Sequence, residues 1–384
     1  MQPIDVLIAG GGAVGSATAY FLTCRLGFPG TVVIVEPDPT YTFAASARSA
    51  ASIRLQFSTP LNMALSAFGM QFLRSGLLAD VSLKESTYLC LASDAGVAAL
   101  RENVGVQRRC GVGTRLYGPA ELAARHPWIN IADVAAAADT PRGEGWFDGY
   151  GLLRALRDAN QRSGVRYLRD RVATVLLNSA NGVDGVRLGG GDTLRCRSLV
   201  NAAGTHSRAI AASAGIDLPV FARKRNVFVF SCAEPPVDCP MVIDPSGLWF
   251  RPEGDRFICG VVPAEDPEVA LDDFDVDHRL FDDLAWPALA HRVPRFDAIR
   301  VHSAWAGHYD YNVFDQNAFV GPCEAVPQLL LASGFSGHGL QHAPAIGRAL
   351  AEIIMFGEYR SIDLAPFSHA RYLRRQAIRE RNII

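Results

Sequence analysis

Residues 5–36 constrain this chain most. The apolar run Val6-Leu7-Ile8-Ala9 leads straight into Gly10-Gly11-Gly12-Ala13-Val14-Gly15, and a helix-compatible stretch follows over 13–26. A second apolar run over 31–35 ends in Glu36. Glycines at 10, 12 and 15, opening a helix after a strand, with an acid at the end of the next strand, form the dinucleotide-binding βαβ pattern. Gly10 permits the tight turn, Gly12 lets a pyrophosphate approach the backbone, and Gly15 lets the helix pack on the sheet. The helix N-terminus offers free N–H groups and partial positive charge to phosphates. Glu36 can accept hydrogen bonds from a ribose. The unit alone leaves NAD and FAD both open.

Three βα-type segments, at 1–75, 150–220 and 325–356, flank two β-rich insertions. The expected fold class is α/β: a discontinuous Rossmann-type domain plus a mostly antiparallel β-sheet substrate domain. The boundaries expected are 1–84, 145–222 and 320–384 for the first, and 85–144 and 223–319 for the second. Helices are expected over 61–73, 95–103, 119–125, 152–163, 280–290 and 343–356. Strands are expected over 88–92, 171–177, 198–204, 256–260, 302–306 and 329–332, with a hairpin over 182–194. The stretch 143–151 reads as loop and 266–283 as an exposed acidic connection.

Composition narrows the class. The chain has 384 residues, 49% hydrophobic and 20% charged, with a formal net charge of −2. That fits a globular protein with a large core and offers no electrostatic case for nucleic acid. The eight cysteines form no CxxC pair. They point to free thiols in a reducing compartment rather than disulfides, and no metal site is expected. The first strand begins near Ile4, leaving no room for a signal peptide, and no apolar run reaches a membrane span. A cytoplasmic setting is the default expectation.

The motifs IAGGGAVGSATAY, LVNAAGTHS, WAGHYDYNVFDQNAFVGP and GFSGHGLQHAPAIGRALAE together resemble the FAD-dependent oxidoreductases of the D-amino-acid oxidase superfamily, which includes sarcosine oxidase, dimethylglycine dehydrogenase and glycine oxidase. The resemblance covers nearly the whole chain, in order. RLQFSTPLNMALS and RSIDLAPFSHARY look like the FAD-dependent oxidoreductase domain-containing branch, a member of which assists assembly of respiratory complex I. The resemblance implies non-covalent FAD and oxidation of a carbon next to an amine nitrogen in a small amino acid or secondary amine. Two rivals stay open: an FAD-binding assembly or scaffold protein without turnover, and an NAD(P)H-dependent flavin enzyme.

The resemblance also implies site residues. Gly10, Gly12, Ala13, Val14, Gly15, Glu36 and Pro37 fall on the ADP-binding turn and its ribose acid. Ser46, Arg48 and Ser49 fall on the loop along the pyrophosphate and flavin, Val172 on the strand whose backbone meets adenine, and Ala203 and Gly204 on a second nucleotide turn. Gly334, Ser336, Gly337, His338, Gly339, Leu340 and Gln341 fall on the loop closing over the flavin ring. Arg54 falls where sarcosine oxidase holds the substrate carboxylate, a task suited to a permanently charged planar fork. A surface arginine at a helix start is the plainer alternative. His308, Tyr309, Gln341 and His342 are further pocket candidates; for Tyr309 a core-filling role explains the residue equally well. On an ungapped count, Ile258, Val262 and Gln341 replace two lysines and a histidine of sarcosine oxidase. Without those cations oxygen should be a poor acceptor, unless Arg223, Lys224 or Arg225 supplies the charge from another strand, and a quinone or protein is the alternative electron acceptor. Arg371, Arg374, Arg375, Arg379 and Arg381 read as a solvated helix face.

Overall fold

The computed structural model describes residues 4–76, 78, 81–263 and 265–382. Two eight-stranded sheets carry the fold. In the first, Arg166–Leu168, Val32–Val35, Ile4–Ala9, Thr193–Asn201 and Leu329–Ser333 run parallel in that spatial order. Phe319–Pro322 adds an antiparallel edge, and the strands Val172–Leu177 and Val183–Leu188 add an antiparallel meander on Thr193–Asn201.

The near-continuous apolar runs of the central strands follow from burial on both faces. Val6, Ile8, Val32 and Ile34 pack into one core, under the helices Ala13–Tyr20, Gly149–Arg162 and Gly339–Phe356. Leu7, Ala9, Val33 and Val35 pack into a second core, with the meander and the helix Ser207–Ser213. The strand period of two produces this division directly.

The second sheet runs in the order Ile299–Asn312, Val220–Cys232, Arg256–Val261, Leu248–Glu253, Met241–Ile243, Tyr88–Ala92, Ala136–Asp139 and Arg115–Tyr117. It is antiparallel except where Met241–Ile243 lies parallel to Tyr88–Ala92. Phe228, Phe230, Phe250 and Phe257 fill one face with Phe296. The opposite face carries Tyr88, Val227, Met241, Trp249 and Ile258.

The first sheet draws its strands from 4–35, 166–201 and 319–333, and the second from 88–139 and 220–312. A small third sheet joins Ser52–Ile53, Glu144–Trp146 and Lys84–Ser86. It overturns the expected loop at 143–151, which instead holds a strand and the start of the helix Gly149–Arg162. The helix expected over 13–26 forms as Ala13–Tyr20 and then widens into a π turn over Phe21–Arg25.

The tail departs furthest from expectation. Arg371 is buried and grips Asp315 with two nitrogens at 2.8 and 3.0 Å, so it is no part of a solvated face. Beyond it the chain folds back onto residues 56–62. Glu380 is fully buried there and accepts from Ser58 N, Ser58 Oγ, Thr59 N and Asn62 Nδ2 at 2.7–3.1 Å. Among the described residues no helix is long and apolar enough to cross a membrane.

Candidate functional site

One long cavity lies between the two sheets. At one end it begins at the C-terminal edge of the first sheet, where Gly10, Gly12, Ala13, Val14, Glu36 and Pro37 line it. Gly10 holds φ +98°, and a Cβ there would stand 2.4 Å from the Ala202 carbonyl oxygen, so no other residue fits. The Glu36 carboxylate accepts from Gly11 N at 2.8 Å and Asp38 N at 3.0 Å, and burial raises its pKa. Val172, Ala203 and Gly204 line the same end.

The stretch 44–51 forms turns along the cavity floor. Ser46, Arg48 and Ser49 all line it, and Ser46 Oγ accepts from Ala13 N at 3.1 Å. Arg48 donates to the carbonyls of Thr42 and Ala306, at 2.8 and 2.7 Å, and its guanidinium lies over Phe43 and Phe274. The 266–283 connection is not a free excursion. It brings Leu271 and Phe274 to the cavity, and Asp266 and Asp273 pair with Arg225 and Lys224 at 2.7 Å. His308 lines the cavity, stacks on Phe274 with ring centroids 4.1 Å apart, and bonds the Asp273 carbonyl at 2.7 Å.

At the other end Arg54 is 3% exposed. Its Nη2 meets His338 Nε2 at 3.0 Å and the Asn382 carbonyl oxygen, while its Nε has no partner. Burial, with Arg54 and His342 nearby, drives the His338 pKa well below the usual value, so the ring is neutral and can accept from the arginine. Gln341 lines the cavity and braces the Arg54 main chain, its Oε1 accepting from Arg54 N at 3.0 Å. Gly337, His338, Gly339 and Leu340 line the cavity at the start of the helix Gly339–Phe356. Tyr309 lines it too, facing Arg225 at 5.1 Å and filling the space a Cβ at Gly337 would need.

Four expected site residues stand outside the wall. A Gly15 Cβ would meet the Gly10 carbonyl at 2.0 Å, so Gly15 serves the turn–helix packing. Gly334 N donates to Asp310 Oδ2 at 2.7 Å, and Ser336 Oγ accepts from Asn312 N at 3.0 Å; both fasten the closing loop from behind. His342 turns away to Ser66 Oγ at 3.0 Å, and burial takes its pKa down to about 3.

A sequence profile described as FAD dependent oxidoreductase matches residues 5–353. The chain belongs to this family. A Xenopus laevis protein named FAD-dependent oxidoreductase domain-containing protein 1 is 40% identical over 422 residues, covering 99% of this chain and 85% of that one. The fold is shared with L-proline dehydrogenase from P. horikoshii, at TM-score 0.87 and 24% identity over 98% of this chain and 99% of that one. Glycine oxidase from Geobacillus kaustophilus gives TM-score 0.82 and 23% identity, over 96% and 98%.

The residues present fit FAD. At Gly12, which lines the cavity at the helix start, a Cβ would meet only Ser46 Oγ at 3.4 Å, so the glycine leaves room for a phosphate, and Arg54, whose buried Nε has no partner, lines the far end of the same cavity. As an FAD-dependent oxidoreductase the chain needs a wall for the flavin and its substrate, and part of that wall was not foreseen in the sequence. Tyr88, Met241 and Trp249 line the cavity from the second sheet, beside Arg225, which the sequence offered as a cation from another strand. Their signal was the alternation of apolar residues along strands whose two faces look alike in sequence. Asn382 was missed because the arginines around it suggested solvent.

Proposed function

We propose that this FAD-dependent oxidoreductase oxidises the C–N bond of a small amino acid or secondary amine. The observation that carries this is Arg54, a buried guanidinium that lines the cavity beginning at the nucleotide turn and whose Nε has no partner. Gly10, Gly12, Ala13 and Val14 would hold the pyrophosphate, Glu36 the adenosine ribose, and the 337–341 turn the flavin ring. Bound FAD would supply the two-electron acceptor for a hydride leaving the carbon next to nitrogen.

The protein's part is binding and orientation. Arg54 would take the substrate carboxylate side-on through Nε and Nη2, displacing the Asn382 carbonyl. Gln341 keeps the arginine's backbone in place. Among the described residues no unengaged acid lies beside Arg54, so the amine enters uncharged with its lone pair free, and the imine formed is hydrolysed by water. Arg225 brings a cation to the wall where Ile258 and Val262 bring none, but Asp266 neutralises it with two bonds of 2.7 and 2.8 Å. A quinone or protein therefore serves as electron acceptor better than oxygen.

The test is anaerobic mixing with a panel of amino acids and N-methyl amines. At least one should bleach the flavin, and the reduced protein should pass electrons to a dye faster than to oxygen. A flavin that no amine bleaches would favour a non-catalytic FAD-binding role, and bleaching by NADPH a different reaction.

A further inference from the structure

Resting on the reading that Arg54 holds a carboxylate, we infer that the substrate carries that one carboxylate and an uncharged, apolar side chain, seated against Tyr88, Val227, Met241 and Trp249. All four line the cavity and are at most 9% exposed. They form one apolar cluster with Trp146 and Ile258 on the inner face of the second sheet. Tyr88 and Met241 are direct partners across the parallel ladder. Burial raises the pKa of the Tyr88 hydroxyl, which therefore stays neutral. Arg54 adjoins this wall: two residues on, Gln56 donates its side chain to the Tyr88 carbonyl at 2.8 Å.

The charged groups of the cavity exclude a second ionic group on the substrate. Its acids are Glu36, Asp38 and Asp310. Glu36 and Asp38 stand at the nucleotide turn, and Asp38 is taken up by the backbone N–H groups of Thr40 and Thr42. Asp310 Oδ2 receives Gly334 N and Phe335 N. An ammonium on the side chain would therefore be buried without a partner. Of the cavity's other arginines, Arg171 stands exposed beside Val172 at the nucleotide end, so a second carboxylate would have to take Arg225 from Asp266, or Arg48 from the carbonyls of Thr42 and Ala306. Burying an unpaired charge is strongly disfavoured, whereas each methylene laid on the wall tightens binding by about fourfold. Discrimination thus comes from what the wall refuses as well as from what it attracts.

The probes are hexanoate, adipate and 6-aminohexanoate, which share six carbons and differ only at the far end. Binding to the FAD-loaded protein is read by perturbation of the flavin spectrum and by calorimetry, so turnover is not needed. Hexanoate should bind at least tenfold more tightly than either of the others. Met241→Glu should reverse the order of hexanoate and 6-aminohexanoate, and the ranking in the unaltered protein decides the matter should that variant fold poorly. Equal binding of the three, with all lost in Arg54→Ala, would overturn the apolar wall and leave the carboxylate reading standing. Binding that survives in Arg54→Ala, or no binding by any of the three, would overturn the carboxylate reading and this inference with it.

Discussion

Two buried carboxylates grip the segment that carries Arg54, and they titrate in opposite directions. Glu144 accepts from Leu55 N, Gln56 N, Gln56 Nε2 and Tyr88 N at 2.8–3.1 Å. Burial outweighs those bonds and pushes its pKa up to about 7. For Glu380 burial also raises the pKa, but the bonds from Ser58, Asn382 and Asn62 together win and lower it. The signs follow from linkage. A carboxyl with a raised folded pKa favours the fold fully below its unfolded pKa, and that contribution is lost as pH rises through the folded value. Glu144 should thus cost the fold up to about 3 kcal/mol between about pH 4.5 and about pH 7. Glu380 contributes above its unfolded pKa and loses that contribution as pH falls through its lowered one. Urea unfolding followed against pH is the measurement. The difference between wild type and Glu144→Gln should slope across pH 4.5–7, and the difference for Glu380→Gln should close only as the pH drops below that window. Parallel curves for both variants would rule this account out.

At the scale of elements, the close crossing of the helices Ala13–Tyr20 and Gly339–Phe356 holds the nucleotide turn and the closing loop in fixed relation. A Cβ at Gly347 would stand 2.6 Å from the Ala17 carbonyl carbon and 2.7 Å from Thr18 N, so backbone must move. Gly347→Ala should cost about 1–3 kcal/mol despite alanine's better helix propensity. Gly105, in the helix Val97–Arg109, meets only the Arg109 side chain at 3.4 Å, so Gly105→Ala should gain about 0.5–1 kcal/mol. Thermal melts of the two variants check both signs. Elements like these were legible because their signals are local: the glycine turn and the apolar runs lie within a few residues of one another. Glu144–Trp146 was not legible, because three residues rich in glycine and aromatics form a strand only by pairing with the distant Ser52–Ile53 and Lys84–Ser86. Likewise Glu380 is isolated among arginines in sequence and acquires its role only by folding back over 300 residues onto Ser58 and Asn62. For the site, the glycine turns and Arg54 could be located from motifs. The apolar wall needed the register of the second sheet, which no single strand specifies.

For the whole molecule, the cavity is the seam between two sheets, and its two walls come from segments far apart in the chain. A ligand that fills such a seam replaces missing contacts on both sides, so FAD should behave as a structural element of the fold. Among the described residues no cysteine lines the cavity; of its three histidines, His308 is engaged with the Asp273 carbonyl, His338 with Arg54, and His206 stands exposed with Ala203 and Gly204 at the nucleotide end, away from the 337–341 turn. The attachment is expected to be non-covalent, and acid precipitation should carry the yellow colour into the supernatant. A removable ligand that binds only the native state stabilises it by mass action, by about 1.4 kcal/mol for each tenfold rise in free ligand above its dissociation constant. Stripped protein should therefore melt well below the yellow form. Its melting temperature should climb with the logarithm of added FAD, and residues of both sheets should gain protection from hydrogen exchange together. Protection confined to the first sheet would mean that the nucleotide turn alone holds FAD and that the second sheet is only a neighbour. A yellow pellet after acid treatment would mean a covalent bond to a residue outside this account, and the concentration dependence of melting would vanish with it.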